Sequence, residues 1–225
     1  MKLALIAALL LVPLSQAASL TGVVVDMNGA YFANIAAELA SGTNKYLART
    51  DNAGVYQFSS LPEGKYELTF QVTGFQRFTL KSIELSEREQ KQIPEITLRV
   101  GRSHCGEPYR DFVRLLPPGL LFGRLSGRVL PAAKGVEITL VCRTFTACRS
   151  TVTDSNGQFS FDTLSAGVYG LSYHREGFYP VDATEYAYTV DVGWESVYSP
   201  TVLERCPNGN CDPKRRPKGP INYCE

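Results

Sequence analysis

Six cysteines and two histidines are the residues of this 225-residue chain with the most distinctive chemistry. Six cysteines allow 15 disulfide connectivities, and the spacing of the cysteines favours local bonds. The expected pairs are Cys142 with Cys148 and Cys206 with Cys211, which leaves Cys105 with Cys224. Zinc at the closely spaced tail cysteines is the alternative, and the absence of a histidine near them argues against it. We therefore predict disulfides and no metal or other cofactor.

The two histidines, His104 and His174, are too far apart in sequence to form a local metal motif. One histidine in each half of the chain cannot supply a two-histidine zinc site within either half. The chain also lacks H-E-x-x-H, G-x-S-x-G and a glycine-rich phosphate loop. We therefore predict no catalytic residues and a protein that is not an enzyme.

Aromatic residues are concentrated near the end of the second half of the chain. Tyr186, Tyr188 and Trp194 share one parity of an alternating run, and Tyr198 follows closely. This parity is typical of a strand whose aromatic side packs into a core. The alternative is an exposed platform of these four rings that stacks on sugars. Exposure of the rings distinguishes the two interpretations.

The elements that position these residues are organised by an internal repeat. The stretch TDNAGVYQFSSLPEGKYELTFQVTGF at 50–75 returns at 153–178 as TDSNGQFSFDTLSAGVYGLSYHREGF. The offset is 103 without a gap over 26 positions, and ten positions are identical. Such regularity indicates two copies of one structural unit.

Each copy opens with an Asp-x-x-Gly sequence ahead of alternating apolar residues. Asp51 and Asp154 can accept hydrogen bonds from the backbone two residues on, and Gly54 and Gly157 can adopt positive φ. A calcium loop needs alternating oxygen ligands and a distal glutamate, which neither copy supplies. We predict hairpin turns at both places.

The repeated motifs T-D-x-x-G-x-F/Y, L-x-x-G-x-Y and G-F, with an upstream G-x-V at Gly22–Val24 and Gly127–Val129, resemble those of the carboxypeptidase regulatory-like domain. This transthyretin-like accessory module is named from metallocarboxypeptidases, and this chain lacks the peptidase domain. The resemblance implies a seven-stranded antiparallel β-sandwich for each copy. It implies little about function, because such modules accompany many secreted proteins.

The amino terminus has the features of a signal peptide. One cation, Lys2, precedes an apolar run that is too short to span a membrane, and Ser15-Gln16-Ala17 is a small-x-small cleavage site. Removal of Lys2 from 23 basic residues leaves 22, which equals the 22 acidic residues. A chain without net charge is not expected to attract nucleic acid electrostatically. The predicted mature chain also has no apolar run long enough for a membrane span.

The predicted fold class is all-β, with two tandem antiparallel β-sandwiches (prealbumin or immunoglobulin-like). The predicted organisation is a signal peptide at 1–17, sandwiches at 18–100 and 124–204, an irregular linker at 101–123 and a cysteine-rich basic tail at 205–225.

The predicted linker contains a small apolar cluster formed by Phe112, Val113, Leu115 and Leu116. We expect this cluster to pack between the two sandwiches. The alternative is a segment that docks a partner, since exposed apolar clusters usually mark contacts.

These observations favour a non-catalytic protein, secreted or periplasmic, that acts as a binding or spacer module of the cell envelope or extracellular space. One alternative is a carbohydrate-binding protein that uses Tyr186, Tyr188, Trp194 and Tyr198. Another is an accessory subunit that docks an exported enzyme or an outer-membrane receptor. The expected partner is a polysaccharide or another envelope protein.

Overall fold

The computed structural model describes residues 17–101, 110–142, 147–209 and 211. In these residues the chain is built from β-strands, and its one helical element is a 3₁₀ turn at Pro207–Gly209. The predicted all-β class is confirmed. The first 16 residues of the predicted signal peptide lie outside the described residues, as do His104, Cys105, Cys224 and the basic run of the tail.

Residues 18–97 form two facing sheets, here called the N-terminal sandwich. Its strands are β1 (Ala18–Val25), β2 (Ala36–Ser41), β3 (Asn44–Arg49), β4 (Val55–Leu61), β5 (Gly64–Phe70), β6 (Phe78–Leu85), β7 (Gln90–Gln92) and β8 (Ile96–Thr97). One sheet has the order β4-β1-β7, with β8 also paired to β1, and the other has the order β3-β2-β5-β6.

A single strand, β9 (Arg110–Leu115), separates this unit from the C-terminal sandwich at 123–202. The strands of the C-terminal sandwich are β10 (Gly123–Leu130), β11 (Glu137–Val141), β12 (Ala147–Val152), β13 (Gln158–Leu164), β14 (Gly167–His174), β15 (Val181–Val190), β16 (Trp194–Tyr198) and β17 (Thr201–Val202). Its two sheets have the orders β13-β10-β16 and β12-β11-β14-β15.

Alternating sequence explains why these segments are strands. In β5, Tyr66, Leu68 and Phe70 are buried, while the residues between them are partly exposed. Successive side chains of a strand point to opposite faces, so one face of β5 enters the core and the other meets solvent. A fully buried leucine stabilises the folded state by about 1.5–3 kcal/mol relative to an exposed one.

The two sandwiches repeat each other in register. Leu20 lies opposite Phe58 in the β1–β4 pair, and Leu125 lies opposite Phe161 in the β10–β13 pair. Both pairs carry an irregularity at the same place, just before these residues along β1 and β10. The sequence repeat therefore corresponds to a structural repeat.

The threonine of each T-D motif joins two loops of its sandwich. Thr50 is buried; its hydroxyl donates to the carbonyl of Phe32 (2.6 Å) and accepts from the amide of Ile35 (3.0 Å). Thr153 makes the same contacts with Ala133 (2.6 Å) and Val136 (3.0 Å). Buried backbone groups need such partners, which explains why threonine occurs in both copies.

The resemblance implied that all strand pairs are antiparallel, but some pairs in each sandwich are parallel. β7 and β8 run parallel to β1, and β16 and β17 run parallel to β10. A parallel pair requires a crossover connection, and in both sandwiches the chain crosses from one sheet to the other before these last strands. The sandwiches are therefore mixed, with mostly antiparallel pairs.

Strand β9 lies in the region predicted to be an irregular linker, and it joins the two sandwiches into one sheet. It pairs antiparallel with β16 along its length, and Val113 pairs with Leu80 of β6 in parallel. The result is a shared sheet of order β13-β10-β16-β9-β6-β5-β2-β3, to which β17 also pairs.

Both hydrophobic cores lie on the same side of the shared sheet. Leu80 and Val113 belong to the N-terminal core, and Leu125 and Tyr198 belong to the C-terminal core. Trp194 begins β16 of the C-terminal sandwich, yet it is buried in the N-terminal core. The opposite side of the shared sheet, here called the outer face, has no second sheet packed on it in the described part of the chain.

Candidate functional site

The predicted stacking platform is not present as an exposed surface. Tyr188, Trp194 and Tyr198 are 2%, 7% and 5% exposed, and Tyr186 packs partly buried against the C-terminal core. Tyr188 and Tyr198 contact each other edge to face, with ring centroids 4.8 Å apart. These rings point into the cores, as the parity of the run suggested, and the alternative interpretation of an exposed sugar-binding platform is wrong.

The Asp-x-x-Gly segments form tight turns. Asp51 Oδ1 accepts from the amides of Ala53 (2.8 Å) and Val55 (2.9 Å), and φ of Gly54 is 69°. Each carboxylate is thus used by the backbone of its own turn. These hydrogen bonds hold the turns that lead into β4 and β13.

The second copy has the same turn. Asp154 Oδ1 accepts from the amides of Asn156 (2.8 Å) and Gln158 (2.9 Å), and φ of Gly157 is 74°. A Cβ on Gly157 would lie 2.8 Å from the carbonyl oxygen of Val129. Both the backbone angle and the close approach of β10 therefore require glycine.

The described cysteines form two disulfides. Cys142, just after β11, bonds to Cys148 in β12 with Cα atoms 5.9 Å apart. Cys206 bonds to Cys211 across the 3₁₀ turn, with Cα atoms 5.0 Å apart. Both separations lie within the usual range of about 4.4–6.8 Å. Cys105 pairing with Cys224 stays a prediction.

The remaining candidate for metal chemistry is His174, which is exposed at the end of β14. Within the described ranges, no group of three or more His, Cys, Asp or Glu side chains is placed to hold a metal ion. No helix in these described ranges is long and apolar enough to cross a membrane.

A concave surface lies on the outer face, where four strands carry a row of alternating charges. Strand register and ion pairs place Asp162, Arg124, Glu195 and Arg114 in succession on β13, β10, β16 and β9. Arg124 donates to Asp162, and Arg114 Nη1 lies 3.3 Å from Glu195 Oε2. We call these four residues the charged row.

A row of three small side chains, which ends at an aromatic ring, lies beside the charged row. Ser160, Ser126, Val197 and Phe112 are consecutive partners on the same four strands. The Ser126 hydroxyl donates to Glu195 Oε1 at 2.6 Å, which ties this row to the charged row. We call the depression above these four residues the trough.

Larger side chains border the trough on its other side. Arg128 and Gln158 are direct partners on β10 and β13. Each lies two residues from the serine of its own strand, so both are on the same face of the sheet as the serines. Together with Pro200 and Asp111 they line a cleft of about 640 Å³, which includes the trough and every residue of the charged row except Asp162. Small-molecule sites usually measure about 300–1,000 Å³, so the cleft is large enough for a ligand.

Phe112 closes one end of the trough. Lys81 Nζ and the guanidinium carbon of Arg114 both lie 4.8 Å from its ring centroid. Cation–π contacts of this kind contribute about 0.5–1 kcal/mol at exposed sites. Next to Phe112, partial burial raises the pKa of the Asp111 carboxyl, and the charge of Lys81 opposes that shift.

Sequence reasoning missed this site because its residues come from four separate strands. Glu195 and Asp162 are distant in sequence from Arg114, and no local motif joins them. In the sequence, Phe112 belongs to an apolar cluster that gives no sign of a binding site. The sequence does show that alternate residues of β10 and β13 are polar and therefore face solvent. It does not show which strands lie next to each other, so the residues of the site cannot be brought together from sequence alone.

No curated protein matches the chain in sequence. Among solved structures, the Bacillus anthracis TIE protein is 17% identical with a TM-score of 0.33, over 84% of this chain and 34% of that one. The chain thus spans about a third of the length of that protein.

Two pilins are similar at the same level. The minor pilin GBS52 of Streptococcus agalactiae is 15% identical with a TM-score of 0.31, over 84% of this chain and 96% of that one. The major pilin BcpA of Bacillus cereus is 9% identical with a TM-score of 0.32, over 84% of this chain and 99% of that one. Identities this low concern the fold alone.

The family model of the carboxypeptidase regulatory-like domain matches residues 19–99. This range covers β1 to β8 and contains the first copy of the repeated motifs. Residues 19–99, the N-terminal sandwich, are therefore similar to the carboxypeptidase regulatory-like domain.

Proposed function

We propose that this protein is an exported, non-catalytic binding and spacer protein of the cell envelope or extracellular space, in which two β-sandwiches act as one rigid body. The observation that carries this proposal is the position of β9 between β16 and β6. A strand bonded on both sides is harder to bend than a free linker, because bending breaks backbone hydrogen bonds. A rigid unit is what a spacer requires.

Apolar packing at the junction supports rigidity. Val113 of β9 is 2% exposed in the N-terminal core, and Leu115 packs against the same core. Trp194 contributes the largest ring to this contact. Separating the sandwiches would expose these side chains, at about 25 cal/mol per Å² of apolar surface.

Ion pairs reinforce the same junction. Asp191, which follows β15, lies 2.9 Å from Arg99 Nη2 and 3.3 Å from Arg110 Nη1. Arg99 belongs to the end of the N-terminal sandwich and Arg110 begins β9. One carboxylate thus binds two arginines from different parts of the chain, and Arg110 is only 11% exposed.

Export is supported by the leader-like sequence at 1–17 and by the cysteines. Disulfides form and persist in oxidising compartments, and two are formed in the described chain. A non-catalytic role is supported by the sequence, which lacks the motifs of common hydrolases and phosphate-binding enzymes, and by the backbone hydrogen bonds that occupy Asp51 and Asp154.

Residual dipolar couplings of the mature protein test the rigid unit. One alignment tensor should fit the amide vectors of both sandwiches. The variant Trp194→Ala combined with Asp191→Asn should produce two tensors, and the matched surface variant Lys45→Gln should keep one. Two tensors for the unmodified protein would refute the spacer role.

Fractionation of cells that express the full chain tests export. The mature protein should begin at Ala18 and appear outside the cytoplasm. Recovery of the chain with its first 17 residues intact in the cytoplasm would contradict the proposal.

A further inference from the structure

We propose that the trough on the outer face binds an uncharged, hydroxyl-rich glycan chain laid across β13, β10, β16 and β9. This inference rests on the proposed binding function and names its ligand class. It uses a different surface from the aromatic residues, which are buried.

The shape of the trough suits a chain-like ligand. Neighbouring strands are about 4.7–4.9 Å apart, so three spacings across four strands give a length of about 14 Å. The floor is low because Ser160, Ser126 and Val197 are small, whereas Arg124 and Glu195 stand beside it. The cleft of about 640 Å³ has room for several rings in a line.

The charged row offers fixed donors and acceptors without net charge. It contains two arginines and two acids, and each arginine is paired with one acid. A guanidinium has more N–H donors, and a carboxylate more lone pairs, than one ion pair uses. A sugar hydroxyl both donates and accepts, so it can bond to either partner of such a pair without separating the charges.

The same charges disfavour a polyanion. A chain of carboxylates or sulfates would need an excess of cations. The cleft has none, because its three arginines are matched by three acids: Arg114, Arg124 and Arg128 with Asp111, Asp154 and Glu195. Moving an arginine from its paired carboxylate to the ligand would leave that acid next to an anion, which costs Coulomb energy. Charge complementarity therefore favours a neutral ligand.

A peptide is also disfavoured by the direction of the trough. Extended peptides bind by adding a strand to a free sheet edge, and the trough instead crosses β10 and β16, which are paired on both sides. Of the four residues beneath the trough, Val197 and Phe112 are apolar and the two serines are polar. Sugar rings need fewer apolar pockets than peptide side chains do.

An ¹⁵N NMR titration of the mature protein tests the proposal. The probes are the uncharged oligosaccharides cellohexaose, xylohexaose, maltohexaose, mannohexaose and chitohexaose, an oligogalacturonate as the acidic glycan, and an extended Gly-Ser peptide. At least one uncharged oligosaccharide should shift the amide signals of Ser126, Ser160 and Val197, and the other two kinds of probe should not.

Two matched variants locate the site. Ser160→Trp places a large ring on the floor of the trough and should weaken binding at least tenfold. Gln57→Trp makes the same change at the repeat-equivalent exposed position of β4, away from the trough, and should leave affinity unchanged. A thermal melt of each variant controls for folding, and the titration of the unmodified protein stands without them.

Each outcome decides the proposal. Shifts confined to the trough with an uncharged oligosaccharide support it. No shift with any of the five, shifts with the oligogalacturonate or the peptide alone, or equal affinity of Ser160→Trp and Gln57→Trp would overturn it. The alignment tensor is measured separately, so failure of glycan binding leaves the rigid spacer standing, and two tensors would refute the spacer without affecting the trough.

Discussion

Trp194 of the C-terminal sandwich meets Phe78 of the N-terminal sandwich edge to face, with ring centroids 6.1 Å apart and an interplanar angle of 86°. In the first copy, strand register places Glu89 at the position of Trp194. The single tryptophan of the chain therefore stands in the second copy where the first copy has a polar residue. This change supplies the apolar contact between the two sandwiches.

Trp194→Ala should lower the free energy of unfolding by about 3–5 kcal/mol, which is usual for truncation of a buried large aromatic residue. The expected mechanism is a cavity in the N-terminal core, although the residue belongs to the C-terminal repeat. Urea denaturation followed by circular dichroism measures the change. Trp194→Phe is the control and should cost clearly less, since it keeps a ring against Phe78. Equal stability of Trp194→Ala and the unmodified protein would show that this contact is not formed.

Gly157→Ala should destabilise the protein by more than 1 kcal/mol, because φ is 74° and the new Cβ would lie 2.8 Å from Val129 O. Gly135→Ala is the matched control, since φ is 80° and a Cβ there meets nothing within 4 Å. Both variants strain the backbone, but only Gly157→Ala also creates a close contact. The difference between their free energies of unfolding, measured by chemical denaturation, therefore reports the steric effect. A larger loss for Gly135→Ala would contradict the described approach of β10 to this turn.

Tyr56→Phe should make the protein less sensitive to alkali. Burial raises the pKa of the Tyr56 phenol in the folded state, whereas the unfolded phenol ionises near pH 10. The unfolded state therefore releases its proton first, and the free energy of unfolding falls as pH rises above about 10. Tyr56→Phe removes this contribution, so its stability should fall less steeply between pH 9 and pH 11, as measured by urea denaturation.

At neutral pH the same variant should be as stable as the unmodified protein or more so, because the Tyr56 hydroxyl is buried without a hydrogen-bond partner among the described residues. Phe159 occupies the equivalent position in the second copy. Tyr198→Phe is the contrast: its hydroxyl contacts the amide of Thr189 at 2.6 Å, and its loss should cost about 1 kcal/mol. A loss above 1 kcal/mol for Tyr56→Phe at pH 7 would mean that its hydroxyl is bonded.

The mature protein should contain no free thiol. Replacing Cys142 and Cys148 together by serine should cost about 2 kcal/mol by the loop-closure model, given their separation of six residues. Mass spectrometry of the non-reduced, alkylated protein should find this pair, the Cys206–Cys211 pair and a peptide that joins Cys105 to Cys224. Alkylated cysteines, or a peptide that joins Cys142 to the tail, would refute the pairing.

Local features of this protein follow from the sequence alone. The turns at Asp51 and Asp154 depend on residues within four positions of each other, and the disulfide between Cys142 and Cys148 depends on a short loop. The alternation in β5 decides which of its faces is buried. Such features are readable because their physical causes act between near neighbours in the chain.

The tertiary structure alone decides the order of the strands, and the candidate site depends on that order. Phe112 and Val113 read as an apolar cluster in a linker, because alternation over so few residues is a weak signal. Only pairing with β16 and β6 turns that segment into a strand, buries Val113 and places Phe112 at the end of the trough. The trough exists because strands from distant parts of the sequence lie side by side. The hydrogen bonds that pair these strands join backbone groups, which are the same in every residue, so no sequence motif marks which strands pair.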